Sequence, residues 1–232
     1  MERKKRRSLR RNGAVHRVCV LTLLGLLFTS CVGALPEGRA TWDQERYGEI
    51  VTQNLDNSCG LAALLTIMRY HFHDVRFDEQ KLFAEFVQHA TTEQLGKAMK
   101  EGLSLVELEQ LAASVGYTVR RKRFDMQELE RTATYAPVLV FLRIGALPHF
   151  AVVRGVSKDI VWLADPARGN VYHTRSTFLG EWASPESQTD GSAYVGLVLA
   201  PATDTDESTF LQEPIPGVPP SLHEIQRGMM GR

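Results

Sequence analysis

The apolar positions of this chain fall into two regimes. From Cys59 to Gly116 they recur at helical spacing, and from Tyr117 to Ala200 they alternate or run continuously, as strands do. The first regime predicts a helix over 59–70, started by Asn57 and Ser58, in which Leu61, Ala62, Ala63, Leu64, Leu65, Ile67 and Met68 leave almost no polar face. Such a helix belongs in the middle of a core. An amphipathic helix begins near Asp78, with Leu82, Phe83, Phe86 and Val87 on one side, and a polar helix covers 92–100. A third is opened by the capping box Ser104-Leu105-Val106-Glu107 and stopped at Gly116. Strands are predicted over 117–123, 137–143, 150–156, 160–164, 170–173 and 193–200, with a helix at 177–182 between the last two. Helices first and antiparallel strands afterwards make an α+β domain, its N-terminal helices packed on an antiparallel sheet.

The ends do not share this pattern. Residues 1–34 hold eight Lys/Arg against Glu2 alone, and the apolar run 18–28 follows the basic stretch, so 1–34 reads as an export signal or membrane anchor. Three endings stay open: a small-residue cleavage site at Val32-Gly33-Ala34, a lipoprotein-type ending at Cys31, or retention as an anchor. The domain is assigned to 35–200, with Trp42 and Tyr47 pinning its irregular lead-in. Residues 201–232 carry five of the ten prolines and no periodicity, and read as a disordered tail. The expected location is the periplasm, soluble or attached to the inner membrane through residues 18–35.

Charge and cysteine usage narrow the function. Beyond residue 34 the chain has 19 basic and 26 acidic groups, a net of −7, which argues against nucleic acid as a partner. Of three cysteines, Cys19 and Cys31 belong to the export segment, so Cys59 is the only thiol of residues 35–232 and has no disulfide partner there. A lone thiol in an oxidising compartment points to chemistry. Such a thiol needs a base and a group to orient it. A hairpin centred on Ser157 sets His149 opposite Asp165, each eight residues from the centre, on one face of the sheet. Taken singly, His149 is a strand-end histidine and Asp165-Pro166-Ala167-Arg168-Gly169 a turn.

Other signals carry less. His71-Phe72-His73-Asp74 follows a helix end and reads as a surface turn, with no metal or cofactor called for. Arg120-Arg121-Lys122-Arg123 reads as a solvated strand edge. His173 ranks below His149 as a base because no carboxylate faces it in the same hairpin geometry.

Together these residues resemble the papain-like peptidases that process bacteriocin leaders after a double glycine. That family places a glutamine six residues before a Cys-Gly pair opening an apolar helix, then a Pro-His-Phe strand start, then Asp-Pro about sixteen residues on. Gln53, Cys59-Gly60, Pro148-His149-Phe150 and Asp165-Pro166 match in type, order and spacing, and the likeness spans 53–200. Ser58 departs from the family's aspartate. The resemblance implies a cysteine peptidase in which Cys59 attacks the scissile carbonyl, His149 protonates the leaving amine and Asp165 fixes the imidazole. Gln53 and the Cys59 N–H would bind the oxyanion. A stand-alone exported member is similar to the peptidases that accompany functional-amyloid export. This implies a secreted polypeptide or its leader as substrate and secretion-system components as partners. A cell-wall peptidase or amidase, and a module that binds a secreted peptide without cutting it, remain alternatives at this point.

Overall fold

The computed structural model describes residues 46–201, apart from 56, 146, 184–187, 190 and 192, together with 210 and 211. Residues 1–45, which include the stretch expected to be an export signal or anchor and Trp42, and most of the tail lie outside the described residues. Among the described residues the principal elements run α1 (Cys59–Thr66), α2 (Glu79–His89), α3 (Thr92–Glu101), α4 (Leu105–Ser114), β1 (Tyr117–Arg123), α5 (Met126–Thr132), β2 (Val138–Ile144), β3 (Leu147–Val156), β4 (Ile160–Asp165), β5 (Gly169–Thr174), α6 (Arg175–Trp182) and β6 (Val195–Pro201). The sheet order is β1-β6-β2-β3-β4-β5 and every pairing is antiparallel. The expected α+β arrangement is therefore present.

The sheet is buried on both faces in its centre, which is why β2 reads as an unbroken apolar run. Leu139, Val152, Ala164, Leu197 and Leu199 face a core with α1, α2 and α4, whereas Val138, Val140, Ala151, Val153 and Leu163 face a second core with α5 and α6. Every residue of α1 is buried, as its lack of a polar face requires. Trp182 anchors the second core: it is fully buried among Phe124, Phe178 and Tyr194, and its Nε1 donates to the Val195 carbonyl at 3.0 Å. Trp182→Ala should cost about 3–5 kcal/mol of stability, checked by urea unfolding.

Four details differ from the sequence reading. The last turn of the first helix widens over Ile67–His71 into a π-turn, with Phe72 N donating to the Ile67 carbonyl at 3.2 Å. Helix α5, capped by the Asp125 carboxylate accepting from Glu128 N, fills what the apolar pattern left blank. Asn57 and Ser58 do not cap α1. Ser58 Oγ instead turns back to Leu55, accepting from its N–H at 3.1 Å and donating to its carbonyl at 3.0 Å. Within the stretch read as a tail, Phe210 is fully buried under the Arg154 guanidinium, 4.3 Å from its ring centroid. An isolated aromatic among prolines carries no period, so its docking left no sequence pattern.

Candidate active site

The thiol is positioned by close packing on both sides. Gly60 follows Cys59, and a Cβ there would stand 2.9 Å from Leu108 Cδ1 and 3.2 Å from Phe150, so glycine lets α1 start hard against α4 and β3. The loop before it is held by Asn57 Nδ2, which donates to the Met99 carbonyl at 2.8 Å. Gly102 ends α3 at φ +80°, where a Cβ would come within 2.4 Å of the Asn57 carbonyl oxygen. Cys59 is thereby fixed at the first turn of a buried helix.

The histidine and aspartate meet by a different register from the expected one. The hairpin turn sits at Lys158–Asp159, with Ser157 N donating to the Ile160 carbonyl at 2.8 Å, and Val156 pairs with Val161 and Gly155 with Trp162. Continued unchanged, that register would place Asp165 and His149 on opposite faces. A bulge at Arg154 shifts the pairing by one residue, to Val153 with Leu163 and Val152 with Ala164. Asp165 then falls opposite Ala151, diagonal to His149 and on its face, and His149 Nε2–H donates to Asp165 Oδ1 at 2.9 Å.

The ring's other nitrogen, Nδ1, takes no part in that bond, and Cys59 acts electrostatically on the same imidazole. Burial works against charge on this imidazole, but the bonds and charges of Asp165 and Cys59 outweigh it and push the pKa up to about 9. Asp165 is fully buried. Burial alone would raise its pKa, yet His149 and Arg168 hold it well below the usual carboxylate range. Its Oδ1 also accepts from Ala167 N at 2.8 Å and Arg168 N at 2.9 Å, and its Oδ2 from Arg168 Nε at 2.6 Å. An imidazole held this way can exchange a proton with a thiol on one side while its tautomer is fixed on the other.

Gln53 lies beside the pair through its main chain, whose N–H donates to the Pro166 carbonyl at 3.2 Å. Its side-chain amide donates to the Leu55 carbonyl at 3.1 Å. Cys59 opens onto a groove of about 830 Å³, walled by Leu105, Phe141 and Phe150 on its apolar side. Arg121, Lys122 and Arg123 line it too, so the basic run read as a solvated edge faces this groove, with Arg121 paired to Glu109 and Lys122 to Glu128.

His173 faces a carboxylate, Glu181 at 3.4 Å, which comes from α6 and not from the hairpin. His71 is half-buried against Phe72 and Phe210, and Asp74 is taken by Arg76 and the Tyr117 hydroxyl. The Asp74–Tyr117 bond ties the loop after the π-turn to the start of β1. The sequence reading missed Arg154 and Arg168. Both are mostly buried arginines, and Arg168 sits in a stretch whose composition speaks only of a turn.

A cysteine at the start of a buried helix, packed on an antiparallel sheet that carries a paired histidine and aspartate, is the architecture of papain-like cysteine peptidases. Residues 48–185 match the Peptidase C39 family, and the chain belongs to that family and is a cysteine peptidase. It is 27% identical over 191 residues to the "Probable functional amyloid protease FapD" of Pseudomonas fluorescens, covering 78% of this chain and 81% of that one. It is 28% identical over 163 residues to the "Pediocin PA-1 transport/processing ATP-binding protein PedD" of Pediococcus acidilactici, covering 69% of this chain but 20% of the transporter. Among solved structures, the peptidase domain of Streptococcus ComA, a bi-functional ABC transporter involved in quorum sensing, shares the fold with a TM-score of 0.50 at 18% identity, over 66% of this chain and 97% of that domain.

Proposed function

We propose that this peptidase is exported to the periplasm and cuts a secreted polypeptide or its leader, after a Gly-Gly pair, with Cys59, His149 and Asp165 as its triad. The observation that carries the reading is His149, bonded at 2.9 Å to a fully buried Asp165, with Cys59 acting on the same imidazole. At neutral pH the imidazole is charged, and a cysteine nucleophile reacts in its thiolate form. The thiolate attacks the scissile carbonyl carbon, and the C=O electron pair moves onto oxygen. The Cys59 N–H at the start of α1 and the Gln53 side-chain amide receive that oxyanion. The Gln53 NH₂ has two hydrogens, so it can keep its bond to the Leu55 carbonyl while donating the second. As the C–N bond breaks, His149 Nδ1–H protonates the leaving amine. Water, deprotonated by the now neutral His149, then splits the thioester and returns Cys59 to thiolate.

Support for a polypeptide substrate comes from the groove, whose lining combines Leu105, Phe141 and Phe150 with Val106, a large apolar side chain with 42% exposure. Support for a secreted substrate comes from the export segment and from the relatives named for amyloid proteolysis and pediocin processing. The Gly-Gly preference follows from the family resemblance, and an amyloid-forming secreted protein is the substrate class that the Pseudomonas relative suggests.

The test is mass spectrometry of products from linear peptides that span a Gly-Gly pair, beside matched peptides with Val-Val and beside intact peptidoglycan. Cuts after Gly-Gly in the first set are the expected result. Release of peptides from peptidoglycan with linear peptides untouched would transfer the function to the cell wall. Slow, ordinary alkylation of Cys59 at neutral pH with no cleavage of any substrate would leave a binding module.

A further inference from the structure

We propose that Arg168 is a positioning residue of this peptidase, holding the Asp165 carboxylate in the one orientation that serves His149, and that Glu181 anchors Arg168 in turn. The inference rests on the reading that Asp165 and His149 serve Cys59. A buried carboxylate bonded only to an imidazole is free to rotate about its Cβ–Cγ bond and swap oxygens. Here each oxygen has its own partners. Oδ1 takes His149 and the backbone N–H groups of Ala167 and Arg168, while Oδ2 takes Arg168 Nε at 2.6 Å. The aspartate is thus gripped on both oxygens by one residue, through its main chain and its side chain.

Arg168 is itself held from behind. Its guanidinium pairs with Glu181 of α6 at 3.5 Å, and the same Glu181 oxygen faces His173 Nδ1 of β5 at 3.4 Å. Arg46 Nε donates to the Arg168 carbonyl at 2.9 Å, which pins the turn from the lead-in side. The groups facing the Asp165 charge are therefore His149 on β3 and Arg168 in the β4–β5 turn. Glu181 and His173 stand behind Arg168, and Cys59 of α1 stands beyond His149. The side chains of Asp165 and Glu181 are 0% and 8% exposed and that of Arg168 15%, so this row of charges lies almost wholly out of water, where an ion pair fixes geometry firmly.

The test compares Arg168→Gln, Arg168→Lys and Glu181→Gln in the full chain with Leu129→Ala, a core truncation away from the row. Two readouts are needed: steady-state kinetics across pH on a cleaved peptide, and NMR titration of the His149 ring, which needs no substrate. For Arg168→Gln, kcat should fall about 10²-fold with KM within about twofold, as expected for a displaced catalytic group. The His149 midpoint should drop by about one pH unit or more, because its carboxylate is no longer aimed. Arg168→Lys should restore part of both, Glu181→Gln should show a smaller shift in the same direction, and Leu129→Ala should lower Tm while leaving the His149 midpoint in place. An unchanged midpoint and kcat in Arg168→Gln would overturn the positioning role while leaving the peptidase reading intact. A lowered midpoint in a protein whose wild type cuts nothing would uphold the positioning and sink the catalytic reading instead.

Discussion

Cys59→Ala is expected to abolish peptide cleavage, by about 10⁶-fold or to below detection, while leaving the fold intact. The size follows from the chemistry: no neighbouring group replaces the sulfur as nucleophile, and water attacking directly lacks the covalent step that divides the barrier. The fold should survive because alanine removes one sulfur atom at the first turn of α1, while the packing of Gly60 on Leu108 and Phe150 is untouched. Product analysis and Tm measured on the same preparation give the check. Full turnover in Cys59→Ala would remove Cys59 from the mechanism. A collapse of Tm would assign the residue to the core.

Asp165→Asn should lower kcat/KM by about 10²–10⁴-fold. Whichever way the amide is turned, one of its ends is an NH₂ group where the carboxylate had an acceptor. It must then face either the Arg168 Nε–H or the Ala167 and Arg168 N–H groups, donor against donor. The buried guanidinium loses its compensating charge as well, so stability should fall by about 3–5 kcal/mol. The pH dependence has a definite sign. The folded carboxylate titrates below its ordinary 3.8, so its contribution is present above that value and fades as pH falls beneath it, and the stability gap between wild type and variant should close in acid. The imidazolium is lost as pH rises through about 9 in the wild type, which sets the alkaline limit of activity. In the variant that limit should move down toward 6.5. An alkaline limit that stays in place would show that Asp165 does not hold His149.

The site was legible where short-range signals carry it. Cys59-Gly60 ahead of an apolar run, Pro148-His149-Phe150 at a strand start and Asp165-Pro166 at a strand end are each visible in a few adjacent letters, and the resemblance joined them. The capping box at Ser104 and Glu107 has the expected geometry, with Ser104 N donating to the Glu107 carboxylate at 2.7 Å. What failed depended on partners that periodicity does not reveal, one of them close by and the others distant in sequence. Ser58 has the composition of a cap, but Leu55 competes for its hydroxyl. Arg154 looks like any strand arginine, yet its guanidinium is shared among the Phe210 carbonyl, Asn170 and Glu49, which lie on three separate segments. Arg168 and Glu181 are thirteen residues apart on different elements, and no period connects them.

The bulge at Arg154 makes residue count in the β3–β4 hairpin decide whether His149 and Asp165 meet. Two strands can exchange partners by one step and still bury much the same apolar area, yet a single-residue deletion between His149 and the turn would send the imidazole and the carboxylate to opposite sides of the sheet. Insertions or losses of two restore the parity. The lineage of this peptidase should therefore tolerate length changes in this hairpin in even steps, and accept odd ones only where another bulge, gained or lost elsewhere along the same strands, compensates.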